Sequence, residues 1–241
     1  MKSLKEILEF RRATRRYSDQ PIDTERVREC IKLAQLSPTS SNMQLYEVYH
    51  VTDKALLGQL AVACFGQGAA STAQQMVVFV ARQDLHRARA KAMLAYEREN
   101  VKLNSPQDRQ EHRLKRWELY YGRVMPLLNS RCLGIWGVIR KSFAQCIGLF
   151  RPMIRQVSEA DVRVSVHQSC GMVAQTFIIA MAEAGYDTCP IGGFDSLRVR
   201  RLLNLPSGAE IGMIVSCGIR DPRGIWGDRV RIPFEQMYKH R

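Results

Sequence analysis

Apolar residues first recur at helical spacing in Leu4, Ile7 and Leu8, directly after Ser3-x-x-Glu6. In such a capping box the serine accepts from an N–H of the first turn while the glutamate reaches back to the serine N–H, so the spacing predicts a short helix that delivers Arg11 at its end. Val27, Cys30, Ile31 and Ala34, following Pro21-Ile22-Asp23-Thr24, predict a second helix that stops near Ser37-Pro38. Tyr46 to Val51 and Met76 to Ala81 have the β-branched and aromatic content of strands, with a helix from Lys54 to Cys64 between them. From Asp84 to about Ala160 the pattern is helical and basic, with breaks predicted at Asn104-Ser105-Pro106, at Pro126 and around Gly134 and Gly137. Ala160 to Ala184 then predicts a helix roughly 37 Å long, apolar around its axis, with Ser165, Gln168 and Gln175 to one side. A helix of that kind needs cover on every face, which suits the centre of a dimer. Ser196 to Asn204 predicts a short helix, Ile211 to Cys217 a strand, and Arg220 to Arg241 a polar arm. The expected organisation is one α+β domain over 1–241 with a helical basic insertion at about 84–160.

Composition narrows this picture. With 46% hydrophobic and 24% charged residues among 241, the chain can bury a core and lacks the signature of disorder. Seven cysteines, scattered and without a C-x-x-C pair, suit reduced thiols and argue against a disulfide scaffold or a zinc site. The first residues lack the apolar run of a secretory signal, so the expected location is cytoplasmic. The uncharged stretch Val164 to Ala182 approaches the length of a membrane span, but its polar interruptions favour a buried helix. A formal charge of +13 raises nucleic acid as a partner. No recognition motif accompanies it, and the charge is read as a solvated face that also attracts anionic cofactors and substrates.

Four segments carry candidate chemistry. Arg11-Arg12-Ala13-Thr14-Arg15-Arg16-Tyr17 gathers guanidinium groups whose fork of donors matches phosphate oxygens. Ser37-Pro38-Thr39-Ser40-Ser41-Asn42-Met43-Gln44 concentrates hydroxyls and amides able to meet the polar edge of a planar heterocycle. In Cys189-Pro190-Ile191-Gly192-Gly193-Phe194-Asp195, two glycines let backbone approach a ligand closely. Arg229 and Arg231 alternate with Val230 and Ile232 before Pro233, which sets both arginines on one face of an extended strand. Gly66-Gln67-Gly68 does not sit between a strand and a helix as a dinucleotide fingerprint requires, and His167, Cys170 and Cys189 are read as core residues.

These segments, in this order and approximate spacing, resemble the nitroreductase-like FMN-dependent oxidoreductases, over residues 1–82 and 160–241. The resemblance implies a central, mostly antiparallel sheet flanked by helices in an intertwined homodimer with exchanged C-terminal arms. It implies that Arg11, Arg12, Ala13, Arg15, Arg229 and Arg231 hold the phosphate and ribityl side of FMN. Pro38, Thr39, Ser40 and Asn42 would reach in from the other subunit. Pro190, Ile191, Gly192 and Gly193 would lie against the flavin ring, with Gln67 nearby. NAD(P)H would serve as electron donor and a nitroaromatic, quinone or enone as acceptor; no catalytic nucleophile and no metal are expected. Gly192 stands where many bacterial members carry an acidic residue. The alternative is a non-catalytic anion or nucleic-acid binding module using the basic insertion. Cys132 to Ile154, rich in large apolar and basic residues, is expected to form a lid over the acceptor cavity, with Trp136 and Phe143 as its grip; contact of 132–154 with a membrane surface is the second reading.

Overall fold

The computed structural model describes residues 2–241. In chain order its elements are α1 (Leu4–Phe10), α2 (Thr24–Ala34), β1 (Tyr46–Val51), α3 (Lys54–Ala63), α4 (Gly68–Ser71), β2 (Gln75–Ala81), α5 (His86–Asn104) and α6 (Gln107–Leu119). A π-helical turn (Tyr120–Val124) and α7 (Met125–Asn129) follow, then α8 (Ile135–Ile147), α9 (Glu159–Glu183), β3 (Asp187–Ile191), α10 (Ser196–Leu202), β4 (Glu210–Gly218) and α11 (Phe234–Met237). The strands form one sheet in the order β1-β2-β4-β3, every neighbouring pair antiparallel.

The period-two alternation of strands divides the core in two. Val77 and Phe79 of β2, with Val215 and Cys217 of β4, face α2 and α9. Met76, Val78 and Val80, with Ile214, face α3 and α10. Because β2 and β4 are the inner strands and are covered on both sides, they read as unbroken apolar runs rather than alternating ones. Phe177 of α9 meets Phe79 with ring centroids 5.5 Å apart. Both rings are fully buried, and truncating such a residue to alanine typically costs about 3–5 kcal/mol.

The capping boxes predicted at Ser3 and present again at Ser158 start α1 and α9. Three other expectations are corrected. Asp187–Ile191, which the pattern leaves without an element, is the edge strand β3; Pro190 has no N–H to give and so is tolerated there. Pro126 does not break the chain: α6, the π turn and α7 run on helically. A proline ring clashes with the carbonyl four residues back, here Gly122, and the wider π turn directly before Pro126 takes up that clash. Gly137 lies inside α8, where a Cβ would come within 2.5 Å of the Glu159 backbone N; this glycine is a contact point rather than a break. Helix α9, apolar around its axis in sequence, leaves one stripe exposed in the single chain, including Val164, Gln168, Met172 and Gln175.

Polar groups are tied between elements. Glu210, at the start of β4, accepts from Arg131 at 3.0 Å, from Arg163, and lies 3.2 Å from His167 Nε2, which accounts for the α9 histidine. Cys170 and Cys189 are fully buried, and burial pushes the Cys170 thiol up to about 12. Among the described residues there is no cluster suited to a metal ion, and no helix is long and apolar enough to cross a membrane.

Candidate functional site

The basic turn after α1 is held by backbone on both sides. Ala13 forms a parallel bridge to Thr188 of β3, Thr14 N donates to Thr188 O at 3.2 Å, and Arg15 N donates to Gly224 O at 2.6 Å. Further along, Tyr17 pairs with Arg220, and its hydroxyl donates to Ser216 O at 2.9 Å. The N-terminal segment is thereby laid between β3 and the chain leaving β4, which brings sequence-distant arginines together.

Arg11, Arg12, Ala13, Arg15, Arg229 and Arg231 line one cavity of about 260 Å³. Trp226 and Asp228 complete its wall together with Ile225 and Val230. Arg229 donates to the carbonyls of Leu8, Glu9 and Arg11 at 2.6–3.0 Å, and Arg12 Nη2 to Gly227 O at 2.7 Å. Among the described residues none of the five lining arginines pairs with a carboxylate. Arg16 and Arg220, by contrast, are taken by Asp221 and Asp187. Burial, then the like charges of Arg229, Arg231 and Arg12, hold the Arg11 guanidinium below its usual pKa. Such a set of unneutralised, converging cations is the environment a phosphate relieves.

The turn that ends β3 adjoins this cavity through Arg15, whose Nη1 lies 3.4 Å from Cys189 Sγ. Pro190 and the buried Ile191 end the strand; Gly192 and Gly193 follow, exposed. Gln67 Nε2 donates to Gly193 O at 2.8 Å and to Cys64 O at 3.0 Å, so its amide nitrogen fixes the glycine turn. A Cβ on Gly192 would meet nothing within 4 Å, leaving open space where an acidic side chain could stand.

The loop with Pro38, Thr39, Ser40 and Asn42 stands apart. Thr39 and Ser40 line a different cavity, of about 200 Å³, walled by Tyr120, Met125, Ile154 and Ser169 among others, and no residue lines both cavities. Ser41, Asn42 and Gln44 all have positive φ, at 52°, 49° and 48°, a conformation that costs non-glycine residues energy. Hydrogen bonds hold the loop there: Ser169 Oγ accepts from Ser40 N at 3.1 Å, Tyr121 OH donates to Ser41 O at 2.9 Å, and the Tyr120 and Ser41 hydroxyls are 2.7 Å apart. Both tyrosines come from the π turn. Sequence reasoning missed them, and also missed Trp226; the signal was Pro126 inside an otherwise helical run.

In the single chain neither of the expected grip residues, Trp136 and Phe143, lines this cavity or the arginine cavity. Trp136 lines a separate cavity with Arg87, Arg123 and Pro126, and Phe143 is 67% exposed.

The sheet, the long helix packed on it and the arginine cavity agree with a match to known proteins. The sequence profile of the Nitroreductase family matches residues 8–219. The chain belongs to the nitroreductase family, a family of oxidoreductases. It is 23% identical over 222 residues, 90% of each chain, to the proposed NAD(P)H nitroreductase MhqN of Bacillus subtilis (strain 168). It is 26% identical over 228 residues, 94% of this chain and 90% of the other, to an NADH dehydrogenase of Thermus thermophilus. A nitroreductase-type protein of Exiguobacterium sibiricum, solved in complex with FMN, matches with TM-score 0.68 over 100% of this chain and 98% of that one, at 18% identity.

Proposed function

We propose that the chain is an NAD(P)H-dependent FMN oxidoreductase acting as a homodimer on a small organic acceptor, a nitroaromatic, quinone or enone. The observation that carries this reading is the cavity of five arginines without carboxylate partners, one of them partly desolvated among like charges. It fits the phosphate of FMN in charge and in donor chemistry. Arg11, Arg12, Arg15, Arg229 and Arg231 would hold the phosphate and ribityl side, and the Pro190–Gly193 backbone, fixed by Gln67, would lie along the ring. FMN supplies, when bound, the capacity to carry electrons between a reduced nicotinamide and an acceptor. The chain's own part is binding, orientation and electrostatic support, without a nucleophile.

Two features support the dimer. The Pro38–Asn42 loop does not reach the arginine cavity of its own chain, so in this reading it completes the partner's. The exposed α9 stripe and the apolar side chains Val230, Ile232, Phe234 and Met237 of the C-terminal arm, all exposed, supply surface for a large isologous interface. Dependence on the nicotinamide pool supports a cytoplasmic location. Separate domain status for 84–160 is not needed: its helices pack onto the rest, and we treat it as a helical insertion in a single domain.

The test is direct. Purified protein reconstituted with FMN should show a bound-flavin absorption band that NAD(P)H bleaches without oxygen, and light scattering should give twice the 27.6 kDa chain mass. Protein that takes up no FMN, or a flavin-loaded monomer, would sink the reading.

A further inference from the structure

The segment between α7 and α9 lies outside the proposed flavin site. Helix α8 buries Gly137 and Ala144, and the contact of Gly137 with Glu159 sets that side against the start of α9. Glu159 fastens the same junction, its carboxylate accepting from Cys132 N at 2.9 Å and from Gly134 N at 3.1 Å. The opposite side is therefore fixed outward. It carries Ile135, Ile139 and Phe143 at helical spacing, and the flanking turns add Leu133, Leu149, Phe150 and Ile154; Leu133 is 97% and Phe150 88% exposed. Single exposed apolar side chains are ordinary, whereas a contiguous set on one rigid element marks an interaction surface.

Charge narrows the partner. Residues 131–157 contain five arginines and lysines and no aspartate or glutamate. Arg131 and Lys141 pair with Glu210 and Asp161, and Arg140 is turned inward onto the carbonyls of Leu127, Ser130 and Val157; Arg151, exposed, and the half-buried Arg155, which bonds Gln145 and Gly148 O, meet no carboxylate among the described residues. A second copy docked through this face would appose Arg151 and Arg155 to their own equivalents, since a two-fold contact pairs a patch with itself. Nucleic acid would match the charge but would gain nothing from Leu133 or Phe150. An anionic lipid surface satisfies both requirements, accepting the apolar side chains at the level of the acyl chains and the guanidinium groups at the headgroups. With 13 residues, α8 is about 20 Å long, too short to span a bilayer and suited to lying along one.

We propose that α8 and its flanking turns form a docking face for anionic membrane surfaces. The face lies on the wall of the cavity beside Thr39 and Ser40, through Ile154 and Gln156, but docking does not depend on the flavin reading and is tested without it.

The test is flotation of the whole purified protein with phosphatidylcholine vesicles and with vesicles that also contain phosphatidylglycerol. Binding to the anionic vesicles alone, weakened by added salt, is the expected result. Arg151→Ser should lower the partition coefficient roughly five-fold, the contribution of one basic side chain near such a surface, and Phe143→Ser with Phe150→Ser should lower it at least ten-fold. All three positions are exposed, and an unchanged melting temperature verifies that the variants fold. An independent readout uses Cys146 on the same helix, exposed like Cys132, while the other five cysteines are buried. In Cys132→Ser protein, an environment-sensitive dye at Cys146 should shift to the blue with anionic vesicles. Equal binding to neutral vesicles, or no binding to either, overturns the proposal. So does a chain that ignores vesicles but whose dimer dissociates on Phe143→Ser, because the face would then be an interface between copies.

Discussion

The arginines of 11–15 and 229–231 and those of 131–155 carry the same charge in opposite surroundings. The first group lines a concavity, held by backbone carbonyls and by the bridge of Ala13 to β3, and like charges crowd Arg11 as it loses water. The second belongs to a helix and its flanking turns among exposed apolar side chains: Arg140 is turned inward onto backbone carbonyls, Arg155 is half-buried, and Arg151 faces solvent. Concave, mutually repelling cations select a compact anion, because one phosphate can accept from several forks at once. Cations spread over an apolar ridge suit an extended charged plane instead. Charge count alone would have merged the two; surface shape separates them.

The largest effect that separates the two regions should come from Arg11→Ala. Losing one charge-assisted contact to phosphate, worth about 1.5–3 kcal/mol, should raise the FMN dissociation constant about ten- to hundred-fold. Vesicle flotation should not change. Titrating apo-protein with FMN decides it, and an unchanged constant would remove Arg11 from the site.

Gly137→Ala should act in reverse. The added Cβ would sit within 2.5 Å of the Glu159 backbone, and overpacking of this kind costs about 1–3 kcal/mol. The melting temperature and vesicle binding should fall together while FMN affinity holds. If FMN affinity falls in step, the two regions are not independent.

A smaller effect should come from the loop. Tyr121→Phe removes one hydrogen bond to Ser41 O, about 1 kcal/mol or roughly five-fold in FMN affinity if the loop conformation matters for binding. Adding Ser41→Gly should recover most of the loss, since glycine adopts positive φ without the Cβ penalty. Failure of that rescue would mean that Tyr121 serves packing rather than loop conformation.

The smallest effect concerns acid. The N–H of Cys132, opposed by a burial penalty and joined by those of Gly134 and Gly137, holds the Glu159 carboxyl below its usual pKa. A depressed carboxylate stabilises the fold above its unfolded-state pKa, about 4.3 for glutamate, and that contribution disappears as pH falls through the lower folded value. Hydrogen exchange in α8 should therefore quicken below roughly pH 4 before the sheet loosens. Glu159→Gln should remove that pH dependence.

Much of the candidate site was legible because its parts are local. The forks of Arg11 to Arg15, the Gly192-Gly193 turn and the alternation of Arg229 with Arg231 are each visible in a few neighbouring residues, and the structure puts both arginine segments on one cavity. The strands of the inner sheet were legible from their apolar runs. What stayed hidden depends on partners distant in sequence. Asp187–Ile191 is a strand because β4 pairs with it, despite Pro190. Gly137 looks like a helix breaker until Glu159 is packed against it. Tyr120 and Tyr121 acquire meaning only through Ser41, on a loop far upstream.

The sheet order has a consequence for synthesis. Its most extensive pairing, β2 with β4, joins Ala81 to Glu210, with α5 through α10 lying between them in the chain. Loop closure over that distance delays the contact, and during vectorial synthesis β4 leaves the ribosome only after α5 through α10. Until then β2, apolar on both faces, has only β1 as a neighbour, and Arg229 and Arg231 have not been made. A nascent chain stalled before Glu210 would thus expose an unpaired edge of β2, the kind of edge that chaperones shield and that aggregates when they do not.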